Sequence, residues 1–230
     1  MDQYSATPGA RDNLRKSISA VYEWALDREH LDPMKYQNPA KTIKRINKGS
    51  KGFYTCTIDD VRAYMKHHEP GTLTRRVMIV ELCTAARRED LRLLGPFNEF
   101  SMDGQRWLQW TQSKKPNRVI ETPMLPMLQE EVADVRDGVY CKTSRGTPLT
   151  HGTMENYVRG WFDQAGVKGS LHGVRKGLSS ILPHLGATSY EIDVLLGHEM
   201  GSYETKVYVA QAERKELATS LSKKLQKVKW

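Results

Sequence analysis

A chain of 230 residues, 39% hydrophobic and 27% charged, has room for one sizeable core with a small second module beside it. It contains no apolar run of about 18 residues, which excludes a transmembrane helix, and its first residues, MDQYSATPGARDNLRK, lack the apolar stretch of a secretory signal. Lys plus Arg number 35 against 27 acids, a formal charge of +8, which suits a polyanionic partner without requiring one.

In chain order, Asp12–Leu31 places Leu14, Ile18, Val21, Tyr22 and Ala25 on one helical face. The stretch NPAKTIKRINKGSKG then carries Lys41, Lys44, Arg45, Lys48 and Lys51 without periodicity and reads as a basic tether. Thr57 and Asp60 make a capping box for a helix running to about His68. A further helix puts Leu73, Val77, Val80 and Cys83 toward a core. It breaks around Ala85–Arg87, resumes through Leu94 and stops at Gly95-Pro96.

RWLQWTQ and RVIETP read as two strands around the polar turn SKKPN. Helical pattern returns in PMLQEEVADV and in THGTMENYVRGWFDQAG, with Thr150 or Thr153 as cap. The last stretch is almost wholly helical. Pro183 marks a kink or stop there, and Thr188 with Glu191 caps a short helix closed by Gly197. The fold class expected is mainly α with a small antiparallel β-sheet. Cys56, Cys83 and Cys141 are odd in number and widely spaced, so buried free thiols are expected rather than a disulfide framework or zinc knuckle.

The chemistry concentrates near the C-terminus. His172 and Arg175, three apart, share one helical face, and Gly197 allows a sharp turn that presents His198. Arginine gives paired hydrogen bonds to phosphate oxygens and histidine adds a donor, so the set suits an oxyanion.

In order and spacing these residues resemble the tyrosine recombinase family, the phage integrases and their relatives. The family's His-x-x-Arg box is matched by His172 to Arg175, its Leu-Gly-His box by Leu196 to His198, and its Thr-x-x-Tyr context by TKVY, ending at Tyr208. Tyr203 falls too early in the pattern. The first arginine box is matched by TAARREDL, with Arg87 in the arginine slot, Asp90 in the acidic slot and Ala85 where a glycine is usual; Arg88 is the competing candidate. The family's hairpin lysine aligns with Lys114, and Lys115 is the alternative.

The resemblance implies a tyrosine recombinase catalytic domain over 55–230 with a C-terminal helical tail. Before it would come a partial, helical core-binding segment at 1–45 and a basic linker at 46–54. It implies a site-specific recombinase that cuts and rejoins double-stranded DNA through a 3′-phosphotyrosyl bond, with neither cofactor nor metal. Arg87, Lys114, His172, Arg175, His198 and Tyr208 would be catalytic, with Asp90 supporting them. Lys41, Lys44, Arg45, Lys48, Lys51, Lys115 and Arg118 would contact DNA.

Partners implied are DNA, further copies in a synaptic homotetramer joined through the C-terminal helix, and an accessory directionality factor, with no membrane. The cytoplasm, at the nucleoid, is the expected location. A type IB topoisomerase-like relaxing enzyme and a non-cutting DNA-binding regulator are the alternative functions.

Overall fold

A computed structural model of the chain describes residues 6–45, 52–114, 118–198 and 211–230, which divide into two units, Met1–Gly52 and Phe53–Trp230. In the first unit, Pro8 opens helix α1 (Pro8–Asp27), where a missing N–H costs nothing. Asn38 fastens the following segment to α1, its Nδ2 donating to Ser19 Oγ at 3.0 Å and to Glu23 Oε1 at 2.8 Å. One helix and one extended segment cover only part of the predicted apolar face. Ala25 is buried, but Val21 is 63% exposed and Trp24 beside it 56%.

The second unit begins with helix α2 (Ile58–His67), started by the Thr57–Asp60 capping box. Helix α3 (Leu73–Thr84) is capped by Thr72. It ends where Ala85 takes the left-handed conformation at φ 44°, which breaks the helix before the short α4 (Arg88–Leu91). The sheet is antiparallel, with strands β1 (Glu99–Met102), β2 (Gln105–Thr111) and β3 (Val119–Pro123) in that order.

Strand β1 was not among the predicted elements. It pairs with β2 across Asp103-Gly104, both at positive φ. Asp-Gly between strands is a strong hairpin signal, because such turns twist with the strands they join. Helix α5 (Pro126–Glu131) is shorter than its pattern suggested, and the chain continues as turns through Val135.

Helix α6 (His151–Gln164) is capped by Thr150 rather than Thr153. Helix α7 (Leu171–Ile181) passes into a 3-10 turn, Leu182–Leu185, at Pro183. Helix α8 (Ser189–Leu196) has the Thr188–Glu191 capping box and ends at Gly197. Helix α9 (Gln211–Leu225) packs on α8 and β3 of its own unit.

The core gathers Met78, Leu82, Leu91, Leu108, Ile120, Leu128 and Phe162, all almost fully buried. Each such side chain contributes about 1.5–3 kcal/mol on burial. Leu221 and Leu225 of α9 join this core, and Leu217 packs against Trp107 and Val194. The apolar stripe on α9, Leu217, Leu221 and Leu225, is therefore covered within the chain. Lys224 reinforces it with 2.6 and 2.7 Å bonds to the buried Glu191 carboxylate. The three cysteines are free and buried. No helix among the described residues is long and apolar enough to cross a membrane.

Candidate active site

The end of α3 aims the first arginine. Thr84 Oγ1 donates to Val80 O at 2.7 Å and accepts from Ala86 N, fixing the chain as it leaves the left-handed Ala85. Arg87 then stands in extended conformation at the N-cap of α4. Its Nη1 is buried and has no hydrogen-bond partner among the described residues. Such a donor is costly to leave unpaired. Arg88 turns the other way, to Glu155 at 3.2 Å and His151 at 2.6 Å on α6.

Asp90, buried in α4, accepts the Ser113 backbone N–H at Oδ1, 2.8 Å. This bond ties α4 to the hairpin turn that carries the exposed Lys114. Lys115 lies outside the described residues.

Helix α7 is seated by two glycines. A Cβ at Gly173 would lie 2.5 Å from Tyr54 O, and one at Gly177 would lie 2.1 Å from Cys56 O. The close approach lets Cys56 N donate to Gly173 O at 3.0 Å and sets the Phe53 ring 4.6 Å from that of His172. One turn on, the buried Arg175 donates from Nη2 to Leu196 O at 2.6 Å.

Leu196 O is the last carbonyl of α8 and lacks a partner within the helix. Gln112 Nε2 also reaches it, at 3.4 Å, while Arg118 Nη1 donates to Gly197 O at 3.0 Å. Gly197 itself adopts φ +58°, and a Cβ there would meet Gln112 Nε2 at 2.1 Å. The turn presents His198, half exposed, whose backbone N–H donates to Asp193 O at 2.9 Å and whose Nδ1 lies 3.5 Å from Asp193 Oδ1.

The charges act on one another. Burial lowers the pKa of Arg175, opposed by Glu81, reinforced by Arg87 and opposed by Asp90. Burial and then Arg175 also lower His198, against Asp193, with Arg87 adding to the lowering. Burial, Arg175 and Lys176 lower His172. Both imidazoles are thus held toward the neutral form by partial burial first and by cationic neighbours second. The structure brings Arg87, Asp90, His172, Arg175 and His198 into one electropositive cluster, with Lys114 on the hairpin tied to it through Ser113.

No protein-family model matches the sequence, and no curated protein matches it. Solved structures do. A lambda integrase(75-356) dimer bound to a COC' core site matches over 93% of this chain and 78% of that one, at TM-score 0.68 and 18% identity. The integrase from mycobacterium phage Brujita matches over 96% of this chain and 75% of that one, at TM-score 0.60 and 17% identity. The Tn1549 transposon integrase (aa 82-397) in complex with circular intermediate DNA matches over 92% of this chain and 81% of that one, at TM-score 0.61 and 9% identity.

The chain has the tyrosine recombinase fold.

Within this recombinase fold, Tyr208 and Tyr203 lie outside the described residues, as do Lys48 and Lys51. Lys41 and Arg45 are exposed and each has an acidic neighbour. Lys41 pairs with Glu23 at 2.9 Å, and Arg45 Nε lies 3.5 Å from Asp12 Oδ2, on α1. Lys44 is exposed. Arg118, expected on DNA, donates from Nη1 to the Gly197 carbonyl.

Two contributors escaped the sequence reading. Glu81 is almost fully buried in α3, and burial raises its pKa to about 8 against the pull of Arg175. Its signal was a lone acid inside the apolar run VMIVELC. Gln112, which shares Leu196 O with Arg175, looks in sequence like any polar strand end. Among the described residues no group of three or more His, Cys, Asp or Glu side chains could hold a metal ion.

Proposed function

We propose that this chain is an integrase-type site-specific recombinase that cuts and rejoins DNA strands through a 3′-phosphotyrosyl intermediate. The observation that carries the reading is the buried Arg87 Nη1, without a hydrogen-bond partner among the described residues, in the same cluster as Arg175 and His198. Donors fixed in advance around an oxyanion are usually the largest catalytic contribution. Structural neighbours on the same fold, solved with DNA bound, support it.

Tyr208 Oη attacks the scissile phosphorus. A P–O bond to tyrosine forms, and the bond from phosphorus to the 5′-oxygen breaks. His172, kept neutral by burial and by Arg175, accepts the tyrosine proton. Lys114 gives a proton to the departing 5′-oxygen. Arg87 and Arg175 neutralise the non-bridging oxygens, His198 adds a hydrogen bond, and Asp90 holds the Arg87 segment against the hairpin. Covalent capture conserves the phosphodiester bond energy for rejoining, so the scheme uses no nucleotide cofactor.

The proposed partner is double-stranded DNA, with further copies of the chain in a synaptic tetramer and an accessory directionality factor acting on that assembly. Because α9 covers its stripe in its own unit, a contact between copies through that stripe requires the helix to leave its seat.

Covalent capture on a pool of nicked duplexes of random sequence tests the proposal. Wild type should yield a denaturant-resistant protein–DNA adduct, and Tyr208→Phe none. A wild-type protein that binds the pool and forms no adduct would refute cleavage. Relaxation of supercoiled plasmid irrespective of sequence would point to a topoisomerase instead.

A further inference from the structure

Glu81 has no part in that scheme, yet its position is unusual. Its side chain is 1% exposed, and neither Oε1 nor Oε2 has a hydrogen-bond partner among the described residues. It occupies the last turn of α3, where helix carbonyls converge and disfavour a second negative charge. Helix α3 packs on α7, and the charged group reaching Glu81 from α7 is Arg175. The buried Cys56 thiol also lies within its field. From α5, Glu131 faces Arg76 near the start of α3, at 3.4 Å. From α4, Arg87 and Asp90 act on Arg175 itself.

We propose that the Glu81 carboxylate, buried on a helix packed against α7 and with neither oxygen hydrogen-bonded among the described residues, opposes an incoming oxyanion at Arg175 through its charge, so binding of the oxyanion is coupled to protonation of Glu81. The proposal rests on the anion-binding role given to Arg175 above and adds the group that regulates it. A neutral Glu81 leaves the cluster a net cation ready for a phosphate. An ionised Glu81 offsets part of the Arg175 charge. Binding to the ionised form therefore takes up to one proton from solvent for each anion held.

Glu81 acts through Arg175 and touches no substrate, so it is a positioning residue. Its raised pKa, about 8, puts the competition just above neutrality. Burial lowers the pKa values of His172 and His198 from the ordinary imidazole value, away from that interval.

Carboxyl NMR of the full chain labelled at Glu, titrated with and without sodium sulfate, tests this. Sulfate keeps its charge throughout the interval. Arginine side-chain N–H signals report sulfate binding independently. Support is a carboxyl signal with a midpoint near 8, absent in Glu81→Gln and displaced in Glu81→Asp, whose midpoint rises when sulfate is added. Sulfate affinity of the wild type should then fall above the midpoint, by at most about tenfold per pH unit, while that of Glu81→Gln stays level to pH ~9.

A midpoint in the ordinary carboxylate range, or one that sulfate leaves unmoved while the arginine signals shift, would overturn the inference and leave the anion pocket standing. Arginine signals untouched by sulfate at any pH would count against the pocket itself, and the inference would fall with it.

Discussion

Arg175 Nη2 donates to the backbone oxygen of Leu196 at 2.6 Å, joining α7 to the turn that presents His198. One guanidinium thus shapes the site and supplies its charge. Arg175→Lys keeps the charge and loses the planar fork that serves the carbonyl and an anion together. We expect adduct formation in the nicked-duplex assay to slow by about 10²-fold or more. Thermal unfolding should show a loss of about 1–3 kcal/mol, because the Leu196 carbonyl is left poorly paired.

Gly197 is required twice, by φ +58° and by the nearness of Gln112. Gly197→Ala should cost about 1–2 kcal/mol for the left-handed backbone. The contact at 2.1 Å adds about 1–3 kcal/mol of overpacking. Calorimetry reads the sum, and His198 should be displaced enough to abolish the adduct.

Gly177→Ala offers a test in which helix propensity and packing oppose each other. Alanine in a helix interior is ordinarily better than glycine by about 1 kcal/mol, but here its Cβ would lie 2.1 Å from the backbone oxygen of Cys56. Gly160→Ala in α6, with nothing within 4 Å, is the control. The melting temperature should fall for Gly177→Ala and rise for Gly160→Ala; a rise in both would contradict the close seating of α7.

His172 and His198 both bind protons less readily in the folded chain than in the unfolded one, where imidazole titrates near 6.5. Their stabilising contribution is therefore present above about pH 6.5 and is lost as pH falls through their lower folded values. Melting temperature should decline from pH 6.5 toward 5, a window above that of ordinary carboxylates. The double variant His172→Gln/His198→Gln should flatten the decline.

Within the basic segment, Lys44 is exposed, whereas Lys41 and Arg45 already face Glu23 and Asp12. If the segment lies on DNA, Lys44→Ala should reduce the slope of log affinity against log salt by about 0.9, the release from one phosphate. Lys41→Ala and Arg45→Ala should reduce it less. Fluorescence anisotropy across a salt series on a duplex of arbitrary sequence makes the comparison.

The sequence alone determined the elements whose causes are local. Thr57 with Asp60 and Thr188 with Glu191 cap their helices by bonds three residues apart, Pro183 ends α7 by ring sterics, and the spacing of His172 and Arg175 puts them on one helical face. Order and spacing also marked Arg87 ahead of Arg88, whose ties to α6 only the fold reveals.

Tertiary structure decided everything that depends on which distant groups meet. It brought Arg175 to Leu196 O and Arg118 to Gly197 O, seated α9 on its own unit, and buried Glu81 within the field of a guanidinium from another helix. A capping bond spans one turn and is written in adjacent letters. The charge state of a buried carboxyl depends on the solvent and ions that folding removes from around it, and no stretch of sequence states that.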